Sequence, residues 1–295
     1  MTDRVGQQLG NYRLLRLLSA GGFAEVYLGE HVYLGTQAAI KVLQTRLAED
    51  ERERFLGEAR MVARLIHPHI VRVLEFGVED EVPFLVMDYA PYGTLRGRLP
   101  KGAPLAAETI LPYVKQIADA LGYAHAKGLV HRDVKPENML LGRDDEVLLS
   151  DFGIALLTQS TRFENTHEVF GTATYMAPEH IRGKAQPASD QYSLGVVMYE
   201  WLSGDVPFHG SFSELCSQHL VAPPPPVHEK VPGISPPIEA VVEKTLAKDP
   251  HDRYSSMQEM ASAFEDACLL TEPTASGTDL TLRRPAHGFL QQVFF

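Results

Sequence analysis

Apolar and polar residues alternate along the first third of the chain with the two-residue period of half-buried β-strands. Five short segments there have the length and composition of strands, and turns that contain glycine separate the first three. The five segments are 12–18, 25–29, 37–43, 70–76 and 84–89. The pattern predicts a small region built mainly from β-strands.

A helical period replaces this alternation in two parts of the chain. Residues 48–66 carry four apolar residues on one stripe, which predicts a single helix inside the β-rich region. These four are Phe55, Ala59, Val62 and Ile66. Beyond residue 105 the helical period dominates. The predicted helices there are one that carries Ile110, Val114, Ile117 and Leu121, a buried one at 189–203, and two more at 238–246 and 256–268.

Composition restricts the class of protein. The chain has 295 residues, of which 44% are hydrophobic and 22% are charged, as in soluble globular proteins. Its formal net charge of −11 argues against binding to nucleic acid, which requires clustered lysine and arginine. The charge weakly favours basic partners, and a solvated acidic surface is the simpler explanation.

Cysteine content and apolar runs bear on the location of the protein. Cys216 and Cys268 lie far apart in the sequence and are expected to be reduced thiols. The chain opens with a polar segment rather than a signal peptide, and its longest apolar run, 194–202, is far below the roughly 20 residues that a membrane span needs. We therefore expect a cytoplasmic protein with no membrane span in this chain.

One lysine lies in an apolar strand. In AAIKVL (38–43) both faces of the predicted strand are apolar, so Lys41 is a charge that needs a partner. Glu58 falls three residues after Phe55 on the inward stripe of the predicted helix and can supply that partner. The sequence predicts a Lys41–Glu58 ion pair, which is either a buried structural pair or part of a functional site.

Two polar segments follow directly on apolar ones. HRDVKPEN (131–138) brings six polar residue types together after an apolar tripeptide. SDFG (150–153) ends the predicted strand 147–149 with an aspartate beside an aromatic residue and a glycine. Asp151 is therefore a candidate metal ligand, and an ordinary turn is the alternative.

Taken together, these segments resemble the motifs of eukaryotic-type (Hanks-type) serine/threonine protein kinases, most closely those of the bacterial members. The resemblance covers residues 10–268 in the correct order. Its parts are AAIKVL, Glu58, HRDVKPEN, DFG (151–153), APE (177–179), Asp190 in the buried helix, and Arg253 in KDPHDRY. Any one of these motifs is weak evidence, whereas seven in register are specific.

The resemblance implies a two-lobed α+β protein kinase fold at about 10–270. A small β-rich lobe with one helix would occupy about 10–89, a hinge about 88–92 and a larger, mainly helical lobe about 93–270. Residues 271–295 would be a tail or linker. The implied activity is transfer of the γ-phosphate of ATP to serine or threonine hydroxyls of proteins. The alternatives are a pseudokinase that binds nucleotide as a scaffold and a small-molecule phosphotransferase of the same fold.

The resemblance also implies catalytic roles. Asp133 would accept the proton of the substrate hydroxyl, and Lys135 would offset charge on the γ-phosphate in the transition state. Lys41 would hold the α- and β-phosphates of ATP, positioned by Glu58. The implied ligands of Mg²⁺, or of Mn²⁺ as an alternative, are Asn138 and Asp151.

By the same resemblance, ATP would lie in a cleft between the lobes. Backbone groups of segment 88–90 would read the edge of the adenine, and Met87 would stand at the back of the pocket. The implied ATP-binding residues are Leu18, Ser19, Ala20, Gly21, Gly22, Phe23, Ala24, Val26, Ala39, Lys41, Met87, Asp88, Ala90 and Leu140.

The segment LLSAGGFAEVYLGEH (17–31) departs from the glycine-rich loop of the family. Glycine is expected where Ser19, Gly21 and Ala24 stand, and the tip position, Gly21, has it. Backbone N–H groups approach the phosphates most closely at the tip, and the small residues Ser19 and Ala24 are acceptable if their φ angles are negative. We expect a functional but stiffer loop, and a damaged loop is the alternative.

Regulation is also implied by the resemblance. Arg132, next to Asp133, is similar to the arginine that marks kinases whose activation loop is ordered by phosphorylation. Thr166 is the favoured phosphorylation site, and Thr172 matches a threonine that contacts the catalytic aspartate and lysine. Autophosphorylation between two copies would require self-association, and constitutive activity is the alternative because acidic residues of the same loop can mimic phosphate. Glu137 and the acidic balance favour a basic residue near the acceptor hydroxyl.

Overall fold

The structure, a computed structural model, describes residues 4–22, 24–44, 49–152 and 173–270, with the backbone alone for residues 49–52 and 54. The predictions for Phe23, Thr166, Thr172 and the tail 271–295 lie outside the described residues. Within these ranges a sheet region is followed by a larger helical region. The predicted α+β architecture is confirmed.

Six strands form one antiparallel sheet in the first part of the chain. Their order across the sheet is β1-β2-β3-β4-β6-β5, so β4 lies between β3 and β6. The strands are β1 (Gln8–Leu9), β2 (Tyr12–Ala20), β3 (Ala24–His31), β4 (Gln37–Leu43), β5 (Val73–Glu79) and β6 (Val82–Asp88). Helix α1 (Glu49–Val62) is inserted between β4 and β5 and packs against β5.

The two faces of β4 have different environments. Ala38, Ile40 and Val42 are buried in one apolar cluster, whereas Ala39 and Lys41 on the opposite face are half-buried. The two-residue period of a strand sends successive side chains to opposite faces. One face of β4 therefore builds the core of the sheet region, and the other faces the helical region.

Two expected boundaries in this region are wrong. Helix α1 ends at Val62, so Ile66, which is 68% exposed, lies outside it. Pro68 disfavours helical backbone at the residue before it, so the helix is not expected to extend beyond residue 66. The next strand begins at Val73 rather than at residue 70. Ile70 instead forms an isolated parallel bridge with Leu149, which ties the sheet region to the helical one.

The second part of the chain is helical apart from a small two-stranded sheet. Its strands, β7 (Met139–Leu141) and β8 (Val147–Leu149), pair antiparallel, which confirms the strand predicted at 147–149. The helices are α2 (Leu95–Arg98), α3 (Ala107–Ala126), α4 (Pro178–Ile181), α5 (Pro187–Ser203), α6 (Phe212–Val221), α7 (Val227–Lys230), α8 (Pro236–Thr245) and α9 (Met257–Leu269). Pro136–Asn138 and Pro250–Asp252 are short 3₁₀ turns.

Helix α5 is the buried helix that the sequence predicts at 189–203. It packs against α3 and α8, and nearly all of its side chains are buried. Gln186 and Ser189 form a reciprocal capping box at its start, and Gly204, with a φ of 80°, ends it in the left-handed conformation. A helix surrounded on all sides needs no polar stripe, which explains the continuous apolar character of its sequence.

Among the described helices, none combines the length and the apolar character that crossing a membrane requires. The cytoplasmic location stays a prediction. The domain boundaries drawn from the resemblance also stay predictions, although the sheet ends at Asp88 and α2 begins at Leu95.

Gly195 of α5 allows close approach of the C-terminal end of α8. A Cβ atom at this position would lie 2.7 Å from Thr245 Cγ2 and 3.2 Å from Leu246 Cδ2. We expect Gly195→Ala to destabilise the protein by about 1–3 kcal/mol, because the added methyl group overpacks the core. Denaturant unfolding measures this loss as a lower transition midpoint at an unchanged slope.

Gly57→Ala is the matched control for this substitution. Gly57 lies in α1, and a Cβ atom there would meet nothing within 4 Å. We expect it to stabilise the protein by about 0.5–1 kcal/mol through helix propensity alone. Equal stabilisation by both substitutions would contradict close packing between α5 and α8.

Candidate active site

A cleft of about 1900 Å³ lies between the sheet and the helical region. Most of the residues that the sequence predicts for a nucleotide and catalytic site line this one cleft. They are Leu18, Ser19, Ala20, Gly21, Ala24, Val26, Ala39, Lys41, Met87, Asp88, Ala90, Arg132, Asp133, Lys135, Asn138, Leu140 and Asp151. The fold thus brings together residues from distant parts of the sequence.

Two predicted residues that the structure describes, Gly22 and Glu58, do not line the cleft. Gly22 lies in the turn between β2 and β3, which a hydrogen bond from Gly21 N–H to the carbonyl oxygen of Ala24 closes at 2.9 Å. Glu58 lies half-buried on α1. The roles of both residues stay predictions.

Ser19 and Ala24 lie in paired strands. Ser19 of β2 pairs with Val26, and Ala24 at the start of β3 pairs with Leu43 of β4. Extended backbone of this kind is open to every residue type, so neither position needs the freedom of glycine. This geometry supports the interpretation of the loop as functional.

Lys41 contacts Asp151 rather than Glu58. Its Nζ lies 2.7 Å from Asp151 Oδ1, and the ion pairs of the described residues do not include one between Lys41 and Glu58. The predicted Lys41–Glu58 ion pair is therefore wrong for this structure. The physical reason is that Lys41 and Asp151 both face the cleft, whereas Glu58 lies outside its lining, and an ammonium group is attracted most by the nearest carboxylate.

Asp133, Lys135 and Asn138 meet in one hydrogen-bonded cluster. Lys135 Nζ donates to Asp133 Oδ2 at 2.9 Å, and Asn138 Nδ2 donates to the same oxygen at 3.1 Å and to the carbonyl oxygen of Asp133 at 2.8 Å. Burial alone would lower the pKa of Lys135, but the charge of Asp133 outweighs burial and raises the pKa above its ordinary value. Lys135 is therefore a permanent positive charge beside Asp133.

The carboxylate of Asp190 holds the loop that carries this cluster. Asp190 lies in the first turn of α5 and is fully buried. Its Oδ2 accepts the backbone N–H of His131 and its Oδ1 accepts the backbone N–H of Arg132, both at 2.8 Å. His125 Nε2 lies 2.7 Å from Oδ2. A buried carboxylate requires such donors, and two of them belong to the loop that the carboxylate positions.

His131 links this loop to the segment that carries Asp151. The ring is buried, its Nε2 donates to the carbonyl oxygen of Ser150 at 2.8 Å, and its Nδ1 accepts the N–H of Asp133 at 3.2 Å. Because a carbonyl oxygen can only accept, these bonds assign the tautomer with its proton on Nε2. The ring also packs against Phe152, with centroids 4.4 Å apart.

Arg132 and Asp151 have left-handed backbone conformations, with φ angles of 70° and 67°. This conformation costs a non-glycine residue about 1–2 kcal/mol, so the contacts around it must hold it in place.

The side chain of Arg132 has polar atoms without hydrogen-bond partners among the described residues. Its Nε and Nη1 are buried and have no hydrogen-bond partner within the described ranges. Buried guanidinium donors without acceptors favour the binding of an anion.

Several residues that line the cleft were not predicted from the sequence. They are Arg16, Leu43, Val71, Thr94, Lys101, Ser150 and a group on and around α4 and α6. The two-residue period of β4 was a usable signal for Leu43, and the position next to Asp151 was one for Ser150. No local signal marks Arg16 or Val71, because their positions depend on how the sheet packs on the helical region.

Asn138 and Asp151 fit the ligands of a hard divalent cation. Asn138 uses its amide nitrogen for Asp133, so its oxygen Oδ1 is the atom suited to a cation, and Asp151 supplies a carboxylate. Oxygen ligands of this kind suit Mg²⁺. Within the described part of the chain no group of three or more His, Cys, Asp or Glu residues could hold a metal ion. The remaining ligands would therefore come from phosphate groups and water.

Comparison of the sequence with protein families identifies the family of the chain. The family model described as the protein kinase domain matches residues 12–264. The chain belongs to the protein kinase family. Membership confirms the two-lobed kinase fold and implies the use of ATP and a divalent metal ion.

Relatives of this kinase domain include bacterial proteins named serine/threonine-protein kinases. PrkC of Bacillus subtilis is 36% identical over 268 residues, which are 89% of this chain and 41% of PrkC. Pkn1 of Myxococcus xanthus is 38% identical over 274 residues, 89% of this chain and 39% of Pkn1. PknH of Mycobacterium tuberculosis is 38% identical over 286 residues, 96% of this chain and 45% of PknH. The chain therefore spans less than half the length of these three relatives.

A buried ion pair fixes the helix α4 beside the cleft of the kinase. Arg253 Nη1 and Nη2 donate to Glu179 Oε1 and Oε2 at 2.8 and 2.9 Å, and Ser189 Oγ donates to Oε1 at 2.8 Å. Burial alone would raise the pKa of Glu179, but the hydrogen bonds and charge of Arg253 outweigh it and hold the pKa below its ordinary value of 4.5. The pair connects α4 to α5 and to the segment before α9.

Arg253→Met would leave the carboxylate of Glu179 buried without its cation. We expect a loss of about 3–5 kcal/mol in the free energy of unfolding at neutral pH. Because the pKa of Glu179 is depressed in the folded state, its stabilising contribution is present above pH 4.5 and is lost as the pH falls through the folded pKa. The difference between wild type and variant should therefore shrink below pH 4.5, as urea unfolding at a series of pH values would show.

Lys115→Met is the control, since Lys115 forms an exposed ion pair with Glu265 at 2.7 Å. We expect this variant to lose less than about 1 kcal/mol. A similar loss for both variants, or a difference for Arg253→Met that does not change with pH, would contradict the assignment of the stabilisation to the buried pair.

Proposed function

We propose that the chain is a serine/threonine protein kinase, which transfers the γ-phosphate of ATP to serine or threonine hydroxyls of proteins. The observation that carries the proposal is the hydrogen-bonded cluster of Asp133, Lys135 and Asn138 in a cleft also lined by Lys41 and Asp151. The names of the bacterial relatives support the same activity.

Asp133 and Lys135 would act at the acceptor hydroxyl. The carboxylate of Asp133 would accept the hydroxyl proton and direct the oxygen toward the γ-phosphate. The ammonium group of Lys135, 2.9 Å from that carboxylate, is close enough to offset charge on the transferred phosphoryl group. Positioning and charge neutralisation would account for most of the rate enhancement.

Lys41 would hold the α- and β-phosphates of ATP. Because Lys41 contacts Asp151 in this structure, a supporting role for Glu58 requires α1 to move toward β4. A divalent ion held by Asn138 and Asp151 would neutralise phosphate charge, and we propose Mg²⁺, with Mn²⁺ able to use the same oxygen ligands.

The adenine would lie between Val26 and Ala39 of the sheet and Leu140 of the helical region, all of which line the cleft. The N–H of Asp88 donates to the carbonyl oxygen of Arg72 at 3.0 Å. Asp88 would therefore offer its carbonyl oxygen to the adenine edge. The other proposed contacts of the nucleotide are Leu18, Ser19, Ala20, Gly21, Gly22, Phe23 and Ala24 over the phosphates, and Met87 and Ala90 at the hinge.

Phosphorylation of the activation loop would regulate the kinase. The buried guanidinium atoms of Arg132 that have no acceptor within the described residues support an anion at this place. We propose a phosphothreonine as that anion, with Thr166 as the first candidate and Thr172 left unmodified to contact Asp133 and Lys135. Transfer between two copies of the chain would require transient self-association.

The alternatives receive less support. A pseudokinase is disfavoured because Lys41, Asp133, Asn138 and Asp151 are all present and line the cleft. A small-molecule phosphotransferase is disfavoured because the APE segment and the surrounding substrate-binding loop are present in the sequence. A cytoplasmic location and a lack of nucleic-acid binding remain part of the proposal.

Intact mass of the purified protein after incubation with ATP and Mg²⁺ tests the proposed activity. We expect added phosphate on the wild type and none on Asp133→Asn, because the variant lacks the carboxylate that accepts the hydroxyl proton. Mapping of the phosphorylated residues tests Thr166. Mn²⁺ in place of Mg²⁺ tests the choice of metal.

The wild type and Asp133→Asn must unfold at the same denaturant concentration. A loss of phosphate transfer in the variant then reports the chemistry and not a folding defect. No added phosphate on the wild type, even with a generic protein substrate present, would favour the pseudokinase. Phosphate on both proteins would point to a contaminating kinase.

Ala24→Gly tests the interpretation of the glycine loop. Since Ala24 lies in a paired strand, we expect the kcat/KM for ATP to stay within about threefold of the wild type or to rise. Gly21→Ala at the tip is the matched control and should raise KM for ATP, because backbone there must approach the phosphates. A clear loss of ATP affinity in Ala24→Gly would contradict the interpretation.

A further inference from the structure

A guanidinium group of the protein itself occupies an acidic site on the edge of the cleft. Arg96 of α2 donates through Nε to Glu137 Oε1 at 2.7 Å, and through Nη1 and Nη2 to Glu200 Oε1 and Oε2 at 2.5 and 3.1 Å. Its Nη2 also donates to Tyr175 Oη at 2.6 Å, and Tyr175 donates to Glu200 Oε2 at 2.5 Å. One arginine thus bridges two glutamates, which we name the acidic pair, Glu137 and Glu200.

Glu137 of the acidic pair lies beside the catalytic cluster. Glu137 is in the 3₁₀ turn next to Asn138, and it lines the same cleft as Asp133 and Tyr175. Glu200 lies behind it on α5 and is 2% exposed. A peptide whose hydroxyl reaches Asp133 would therefore pass close to Glu137.

Other carboxylates of the cleft do not replace this pair. Of the acidic residues that line the described part of the cleft, Asp88 lies at the end of β6, and Asp133 and Asp151 belong to the catalytic centre. Glu137 is the remaining one, and the sequence predicts that it binds a basic residue of the substrate. It can do so only if its carboxylate is not already paired with a cation of the protein.

Arg96 already pairs with both carboxylates and so leaves little negative charge for a substrate cation. Glu200 is sealed from solvent and receives both terminal nitrogens of Arg96 together with the Tyr175 hydroxyl. Glu137 is 45% exposed, so an incoming cation would find one half-solvated carboxylate beside an existing positive charge. Such a surface contact contributes little, whereas a guanidinium held between two carboxylates is bound strongly and directionally.

We propose that Arg96 determines substrate specificity by filling the acidic pair, so that the kinase does not select a basic residue at the substrate position that passes Glu137. This inference rests on the proposed kinase activity and names the class of protein substrate: sequences without a required arginine near the acceptor. It replaces the expectation that Glu137 and the acidic balance favour a basic residue there. Removal of Arg96 would uncover a pocket selective for an arginine side chain.

The test compares wild type with Arg96→Met, which keeps much of the aliphatic volume and removes the charge. A peptide series carries one acceptor serine and a single arginine at each flanking position in turn, with an alanine version as reference. We expect wild type to phosphorylate all members with kcat/KM values within about threefold of the reference. Arg96→Met should prefer arginine at one position by about tenfold or more, as a charge-assisted hydrogen bond to a poorly solvated carboxylate allows.

Three further variants keep the test decisive. Arg96→Met with Glu137→Gln should show a reduced preference, because one of the two carboxylates is gone while the buried Glu200 keeps its charge. Arg96→Met with Glu200→Gln guards against misfolding, since it removes the buried charge that Arg96→Met leaves unpaired. It should also keep a reduced preference, through the half-exposed Glu137. Arg98→Met is the matched control, because Arg98 lies on the same helix and pairs with the exposed Asp145 away from the cleft. It should behave as wild type.

A preference of the wild type for arginine that Glu137→Gln abolishes would overturn the proposal. So would a folded Arg96→Met that gains no preference. Binding of fluorescent peptides, measured by anisotropy with the Asp133→Asn background, separates this inference from the proposed function. If neither wild type nor variant transfers phosphate, the proposed function fails. Tighter binding of an arginine peptide after Arg96→Met would still support the proposed role of the acidic pair. Unchanged binding would refute that role.

Discussion

The buried carboxylate of Asp190 is the constraint on which the geometry of the cleft depends. Its charge has no access to water, so protein donors must satisfy it, and two of them are the consecutive backbone N–H groups of His131 and Arg132. Successive N–H groups converge on one anion when the backbone between them combines right- and left-handed conformations. The positive φ of Arg132 follows from this requirement. The backbone conformation of Arg132 in turn sets the orientation of the next residue, Asp133.

The cations in and beside the cleft differ in whether they have carboxylate partners. Lys41, Lys135 and Arg96 each lie against carboxylates. Arg132 differs, since two of its buried nitrogens lack an acceptor within the described residues. A negative ligand therefore competes with an existing carboxylate at Lys41 but meets uncompensated donors at Arg132. These two places should respond differently to nucleotide and to phosphorylation.

Features that depend on neighbouring residues were predictable from the sequence, and features that depend on packing were not. The strand periods and the buried helix α5 are local patterns, and the cluster at 131–138 lies within one short loop. The partner of Lys41 was predicted wrongly because the choice between Glu58 and Asp151 depends on how α1 sits against the sheet. Glu200 is a charged residue within the apolar run 194–202, and its partner lies 104 positions away on α2, where no sequence period could have indicated it.

The strand pairing of Ser19 and Ala24 has a consequence for the energetics of nucleotide exchange. Both residues already belong to the sheet, because β2 ends at Ala20 and β3 begins at Ala24, so the connection between the two strands is short. Ordering a backbone residue costs about 1–2 kcal/mol of conformational entropy, so a short turn loses less on closing over phosphates than a long flexible loop does. For the same reason, the loop regains little conformational entropy when the nucleotide leaves. In the proposed kinase, a loop ordered in this way would favour retention of the bound nucleotide.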